Sequence, residues 1–510
     1  MKEKRRAVVL GGGGGKGAYQ AGVFRALKEV GYDYHLVTGT SVGSLNGACM
    51  VMEELELCQE IWKNISLEKI LDFVPGQGGI IPKSLENWFL ENGILEEEDR
   101  EKGVLSTLEK LAEAGELVGA AVREKSLDQS PLKELLQQYV DVEKLYASPV
   151  DFGLVTVTFP QLKPCYLYKR DIPKDRFIDF LMASCACFPA MKPWKIDGQQ
   201  YIDGGYWDNL PIQMAVDWGA EEVIAVDLNA VGVKRKLKKE WTAELTVIAP
   251  LDDLGFLLSF DGDQSRVNMS RGYFDAMKAF GRMEGREYTF EKGAFSETGA
   301  GFRSFQKGAL QRLIPDGKME KAVEKFLFRR MERKLEMEGM SRRFLKVEVK
   351  ETVSMEALER LTEKEERKQI GMEDAWVLAS AETAGRIFRI SPMECYSKSS
   401  FDAALRETIS SLRLRNLDDW EDRIFYEFED FKDDLDWKGF VEGIRKIGDE
   451  REQTLFLMEG VKGLIAEDGK LSLKNWKRNE ESWKNLFLGV TAQILLEELI
   501  AAVYCIYYEL

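Results

Sequence analysis

Six glycines in seven residues, Gly11-Gly12-Gly13-Gly14-Gly15-Lys16-Gly17, stand between a short β-branched run, Ala7–Leu10, and an amphipathic stretch closed by Gly31. Ala21, Phe24, Leu27 and Val30 recur at the helical period, so Gly17–Val30 is expected as a helix with Gly31 as its stop. A strand that passes through a glycine loop into a helix is the opening unit of a parallel sheet, because parallel strands need helical crossovers. The N–H groups of such a loop converge at the positive end of the helix, where negative charge is favoured. So many consecutive glycines carry an entropy cost that an ordinary turn would not require.

Three readings of the loop compete. A phosphate-binding P-loop needs a glycine five residues before the Gly of Gly-Lys and a hydroxyl after the lysine, but Leu10 and Gly17 occupy those places. A dinucleotide fingerprint is met formally by Gly12, Gly14 and Gly17, with Asp33 at a suitable distance. A tight turn without a ligand is the third.

A second glycine motif narrows the choice. Gly39-Thr40-Ser41-Val42-Gly43 follows the run Leu36–Thr38 and precedes a helix-compatible segment, Ser44–Glu56. In that setting the serine sits on a sharp, strained turn that exposes its hydroxyl above the sheet. Loops at the carboxyl ends of adjacent parallel strands meet in one crevice, which brings Ser41 to the glycine run.

A serine nucleophile needs a base, and the chain contains a single histidine, His35. It enters the strand that ends near Ser41, about 20 Å away at about 3.3 Å per residue, and so cannot serve. A carboxylate must take the proton. Tyr201-Ile202-Asp203-Gly204-Gly205 offers one at the end of a short apolar run, with two glycines that let the chain turn into the crevice. Asp197, Asp261, Asp316 and Asp468 also precede a glycine, but none is followed by a second one.

The histidine count also excludes His-based zinc sites. Seven cysteines without CxxC spacing fit reduced thiols in a reducing compartment; the Cys185/Cys187 pair is weak evidence for metal. Lys plus Arg total 71 against 87 acids, a net charge of −16, which disfavours nucleic acid as a partner. No signal peptide is legible after the basic start Lys2–Arg6.

Strands are expected at Ala7–Leu10, Leu36–Thr40, Asp151–Phe159, Pro164–Lys169, Glu222–Leu228 and Leu245–Pro250, with a helical insert over about 67–145. Beyond about Glu284 the chain is expected to be α-rich, with helical patterns such as Met319–Met337 and Met355–Lys368, after a polar linker near Glu284–Gly301.

These features together resemble the patatin-like phospholipase family. The resemblance covers about residues 6–285 and rests on Gly-Gly-Gly-Gly-Lys-Gly-Ala-Tyr-Gln-Ala-Gly from Gly12, Gly-Thr-Ser-Val-Gly-Ser-Leu-Asn-Gly-Ala from Gly39, Ala-Ser-Cys-Ala-Cys-Phe-Pro-Ala from Ala183, and Asp-Gly-Gly at 203–205. It implies an α/β fold, a three-layer α/β/α domain with a helical insert at 6–285; the α-rich C-terminal domain expected at 302–510 rests on the helical patterning alone. It also implies a Ser–Asp dyad, with Ser41 as nucleophile, Asp203 as base, and the backbone amides of Gly13 and Gly14, helped by Gly15 and Lys16, as oxyanion hole. The expected reaction is hydrolysis of acyl esters of lipids through an acyl-serine intermediate, with no metal or organic cofactor. Transacylation by the same dyad is the alternative within enzymes, and a dinucleotide-binding module the alternative outside them. Cys185 and Cys187 depart from the small or apolar residues usual at their positions, a packing role that buried thiols can fill.

Lys16, a compact and mobile charge, is expected to position the loop rather than to react. Lys234–Lys239 followed by Trp241 reads as a solvated loop, with a lipid headgroup interface as the alternative. The acidic and aromatic stretch Asp418–Trp437 reads as an amphipathic helix with a core face. Leu486–Tyr508 is the most apolar window, but Glu497 and Glu498 at its centre would cost roughly 5–7 kcal/mol to insert in a bilayer. It is expected as a terminal core helix, with interfacial membrane contact as the alternative. The expected location is therefore cytoplasmic, with peripheral membrane association secondary; the oligomeric state stays open.

Overall fold

The computed structural model describes residues 4–70, 72–73, 127–188, 191–235, 237, 243–296, 299–313, 321–323, 325–327, 372–412, 442–443, 445–446, 448–466 and 495–510. The expected helices Met319–Met337, Met355–Lys368 and Asp418–Trp437, most of the insert and the Trp241 end of the basic run fall largely or wholly outside these residues. The chain divides into two compact units, one formed by residues up to Phe280 and the other beginning at Gly281.

In the first unit the chain order is β1 (Arg6–Leu10), α1 (Ala18–Val30), β2 (Leu36–Thr40), α2 (Val42–Val51), α3 (Leu55–Lys63), the short strands β3 (Asp72–Phe73) and β4 (Leu127–Asp128), α4 (Ser130–Tyr139) and α5 (Val142–Ala147). There follow β5 (Asp151–Phe159), β6 (Pro164–Tyr168), α6 (Phe177–Ser184), β7 (Trp194–Ile196), β8 (Gln199–Asp203), α7 (Ile212–Trp218), β9 (Glu222–Val226), β10 (Glu244–Ile248) and α8 (Gly262–Ala279). Leu36–Thr40 and Asp151–Phe159 match the expected strands residue for residue, and α1 stops at Gly31 in the left-handed conformation, φ 67°. The strands β7 and β8 were not anticipated.

The main sheet runs β10-β9-β1-β2-β5-β8-β7, with β6 on the other edge of β5. The strands from β10 to β5 are parallel, whereas β6 and β8 lie antiparallel to β5. β2 is buried at every position, as a strand covered on both faces must be. Alternate residues serve the two faces. Ala7 and Val9 pack with Ile212 and Ala215 of α7, while on the opposite face Leu10 and Val37 lie against Gly47 of α2. The result is a three-layer α/β/α domain around a mixed sheet.

The second unit contains a small sheet, β11 (Met283–Glu284), β12 (Thr289–Glu291) and β13 (Cys395–Tyr396), with helices α9 (Gly299–Leu313), α10 (Met372–Ile387), α11 (Lys398–Ser411), α12 (Glu450–Ala466) and α13 (Leu496–Tyr507). Its core joins Phe290, Phe295, Phe302, Trp376, Phe401 and Tyr504. The segment expected as a polar linker thus supplies two core aromatics, Phe290 and Phe295; its glycines and charges masked a β-hairpin whose apolar side chains point inward. α13 packs as a core helix, with Leu499–Cys505 buried. Among the described residues no helix is long and apolar enough to cross a membrane.

Candidate active site

β5 has two edges, and their occupancy builds the site. β6 lies along one edge, opposite Gly153–Val157. β2 covers Asp151–Val155 and β8, arriving antiparallel, covers Thr156–Phe159. Because Thr156 and Val157 already face β6, β8 must share the edge of β2. The two strands therefore meet end to end: β2 finishes at Thr40 opposite Val155, and β8 finishes at Asp203 opposite Thr156. Ser41 leaves the sheet at that junction.

Ser41 adopts φ 54° and ψ −129° between β2 and α2. A strained backbone of this kind costs on the order of 1–3 kcal/mol and persists only where its surroundings hold it. Here the Ser41 N–H donates to Ser184 Oγ at 3.0 Å, and its carbonyl accepts from Ser44 Oγ at 2.6 Å and from the Ser44 N–H at 2.8 Å. Thr40 Oγ1 donates to the Asp208 carbonyl at 2.8 Å, which fixes the last residue of the strand.

The Ser41 side chain lies close enough to the Asp203 carboxyl to draw its pKa downward. Asp203 is buried, 7% exposed; its Oδ1 accepts from the Gly205 N–H at 2.7 Å and its own N–H donates to the Ala186 carbonyl at 2.9 Å. Burial pushes its carboxyl up to about 6, against the opposing pull of the Ser41 hydroxyl and the Gly205 N–H. Asp203 is thus a stronger base than an exposed aspartate while still ionised near neutral pH.

The glycine loop passes directly beside Ser41: a Cβ on Gly12 would stand 3.2 Å from the Ser41 Cβ. Four of its amides are committed to protein carbonyls. Gly11 N–H donates to Val226, Gly12 to Asn209, Gly15 to Leu257 and Lys16 to Gly13, at 2.7–3.1 Å. Among the described residues none accepts from the N–H of Gly13 or Gly14. Gly15 and Lys16, expected to help as oxyanion donors, therefore have no free amide, because Gly14–Gly17 winds into a 3₁₀ turn held against Leu257. The Lys16 side chain is paired with Asp253 at 2.9 Å, in keeping with a positioning part.

Two groups of residues that sequence reasoning did not single out hold the loop. Asn209 Nδ2 donates to the Gly12 carbonyl at 3.3 Å, and a Cβ on Gly205 would meet Asn209 Oδ1 at 2.9 Å, so this side chain joins the glycine loop to the Asp203 turn. On the helical side, Gln20 Nε2 donates to the Gly11 carbonyl at 2.7 Å, Asn46 Nδ2 to the Gly17 carbonyl and to Gln20 Oε1, and Trp62 Nε1 to Asn46 Oδ1. These buried amides lie in the quoted glycine and serine motifs, but their pairing requires the packing of α1, α2 and α3.

The remaining candidates fall elsewhere. His35 Nδ1 accepts from the Arg6 N–H at 3.2 Å at the entry of β2, the opposite end from Ser41. Asp208 is held by the Tyr166 hydroxyl at 3.0 Å, with its carboxyl raised to about 7 by burial. The Cys185 thiol is buried beside Ser41 and Ser44, and burial raises both Cys185 and, to about 12, Cys187, so both remain neutral packing groups. No group of three or more His, Cys, Asp or Glu suited to a metal ion occurs among the described residues.

Residues 8–216 match the family model for patatin-like phospholipases. Patatin-like phospholipase domain-containing protein 6 of Mus musculus is 26% identical over 224 residues, which are 44% of this chain and 13% of that protein. Neuropathy target esterase sws of Drosophila melanogaster is 25% identical over 223 residues, again 44% of this chain and 13% of the relative. The match thus spans about an eighth of those relatives. Among solved structures, VipD from Legionella pneumophila aligns with a TM-score of 0.34 at 13% identity, covering 98% of this chain and 91% of that one.

Proposed function

Residues 8–216 belong to the patatin-like phospholipase family, and from that premise we propose that the chain is a serine-dyad hydrolase cleaving acyl esters of lipids, phospholipids included, through an acyl-serine intermediate. The observation that supports this reading is the meeting of β2 and β8 along β5, which ends one strand just before Ser41 and the other at the buried Asp203.

In the proposed sequence Ser41 Oγ attacks the ester carbonyl carbon as its proton passes to Asp203. The carbonyl oxygen takes up negative charge against the N–H groups of Gly13 and Gly14, the loop amides that no carbonyl among the described residues accepts. Fixed donors of this kind are typically worth about 2.7–4 kcal/mol of barrier each. Collapse of the tetrahedral species expels the alcohol, which leaves with the proton from Asp203. Water then gives a proton to Asp203 and attacks the acyl-serine, and the proton returns to Ser41 as the carboxylic acid departs. A dinucleotide cradle would need several converging amides, and the commitment of Gly11, Gly12, Gly15 and Lys16 to internal carbonyls favours the smaller oxyanion.

A fluorophosphonate label tests the proposal. Intact protein is expected to be modified at Ser41, located by mass spectrometry, and Ser41→Ala is expected to lose both label and hydrolysis of a short p-nitrophenyl ester without loss of fold. Activity of Ser41→Ala within tenfold of the parent would overturn it.

A further inference from the structure

The segment Ala183-Ser184-Cys185-Ala186-Cys187-Phe188, at the end of α6, touches both members of the dyad through its polar groups, although neither of its cysteines is placed to react. Ser184 is fully buried. Its Oγ accepts the Ser41 N–H at 3.0 Å and donates to the Val155 carbonyl at 2.8 Å. Two residues on, the Ala186 carbonyl accepts the Asp203 N–H at 2.9 Å, and the Ala183 carbonyl takes the Thr156 hydroxyl at 3.2 Å.

The place of these contacts matters. β2 leaves β5 after Thr40, and β8 ends at Asp203, so the ladder along that edge of β5 is interrupted between Val155 and Thr156. The Val155 carbonyl faces the interruption, since a Cβ on Gly204 would stand 2.3 Å from its oxygen. The Ser41 N–H lies one residue beyond the last ladder partner of β2. A buried carbonyl and a part-buried N–H at a ladder break both need partners. A single hydroxyl, donor and acceptor at once, serves both.

We propose that Ser184 is a positioning residue of the acyl-transfer site, its hydroxyl bridging the break between β2 and β8 and holding Ser41 in the positive-φ conformation that aims its Oγ at Asp203. The inference rests on the hydrolase reading given above. Without the bridge Ser41 relaxes toward ordinary backbone angles, and its Oγ leaves the line between Asp203 and the glycine-loop amides. Substrate contacts elsewhere stay in place, so the loss belongs to kcat and not to KM.

The test compares the parent with Ser184→Ala and Ser184→Thr, following ester hydrolysis and the rate of fluorophosphonate labelling. Rates are normalised to the fraction labelled at completion, which removes unfolded molecules from the comparison. Ser184→Ala is expected to lose about 10- to 100-fold in kcat and in labelling rate with KM within about threefold, and Ser184→Thr, which keeps a hydroxyl, to recover most of it. If Ser184→Ala takes up no label at completion, Ser184→Cys replaces it, with an intermediate rate expected of its weaker hydrogen-bonding thiol. Normalised rates within threefold of the parent for the variant measured, or a loss carried by KM alone, would overturn the positioning role. A parent chain that neither hydrolyses esters nor labels at Ser41 is a different result: it removes the hydrolase reading and this inference with it.

Discussion

Thr40 and Asp203 occupy successive places along one edge of β5, Thr40 opposite Val155 and Asp203 opposite Thr156. A parallel strand and an antiparallel strand arriving from opposite ends thereby bring the residue before a turn serine and a strand-end aspartate to neighbouring positions on one edge. The arrangement makes the pairing depend on β-register, which shifts only in whole residues and would turn Asp203 to the other face.

The first expectation separates the two candidate bases. Asp203→Asn is expected to lower acyl transfer by about 10²–10⁴-fold, the range general-base catalysis supplies, and to lose fluorophosphonate labelling in parallel. His35→Gln is expected to stay within about twofold, because His35 Nδ1 is bound to the Arg6 N–H at the far end of β2. Steady-state rates with label uptake decide it; loss of activity in the His35 variant at unchanged thermal stability would restore a histidine mechanism.

The pH dependence follows from the same carboxylate. Only ionised Asp203 can accept the Ser41 proton, so activity is expected to fall with first-order slope below about pH 6, where burial has placed its pKa. Stability moves the opposite way. The folded-state pKa lies above the ordinary carboxylate value of about 3.9, so the contribution of neutral Asp203 is fully present below about pH 4 and is lost as pH rises through about 6. A gap of roughly two units corresponds to about 3 kcal/mol. Asp203→Asn, neutral throughout, is therefore expected to melt above the parent at pH 8 and near it at pH 3.5. Asp208, raised to about 7 by burial, titrates in the adjoining window; Asp208→Asn in the same melting series separates its share.

Two glycines with the same backbone sign give opposite functional expectations. Gly14 has φ +52° and an added Cβ would stand 2.1 Å from the Leu257 carbonyl oxygen, whereas Gly31 has φ +67° with nothing within 4 Å. Both changes to alanine carry the left-handed backbone penalty, roughly 1–2 kcal/mol. Only Gly14→Ala also displaces the glycine loop proposed to hold the oxyanion, and its kcat is expected to drop about 10²–10³-fold. Gly31→Ala is expected to lose stability alone. Thermal melts and ester kinetics on the pair check both halves.

Much of this is legible in the sequence, for local reasons. Gly39–Gly43 and the run before it announce a strand, a turn and a helix through patterning alone, and the structure places β2 at the expected residues. Asp203 was legible as a carboxylate at a glycine-rich turn. What brings it to Ser41 was not, because the antiparallel entry of β8 beside β5 is a pairing between residues more than forty positions apart, and Tyr201-Ile202 is too short a run to declare a strand. The commitment of the Gly15 and Lys16 amides was equally hidden. The Gly15 amide goes to the Leu257 carbonyl, supplied by a loop some 240 residues downstream, and the Lys16 amide to Gly13 within the turn that this contact holds. Ser184 stood in a quoted motif, yet its two partners are Ser41, just beyond β2, and Val155 of β5.

The last expectation concerns α13. Leu499 is fully buried in the second unit's core, while Glu497 at the first turn pairs with Arg386 across side chains each more than a third exposed. Removing buried methyl groups costs the transfer energy and leaves a cavity, about 2–5 kcal/mol for Leu→Ala. An ion pair open to water is worth about 0–1 kcal/mol. Leu499→Ala is therefore expected to lower the denaturation midpoint of the second unit and to speed amide exchange along Leu496–Tyr507, whereas Glu497→Gln should leave both near the parent. Peptide-resolved hydrogen exchange reads the two variants directly. Slow, parent-like exchange in Leu499→Ala, or a larger effect from Glu497→Gln, would mean that the helix is held by its polar first turn and not by its apolar face.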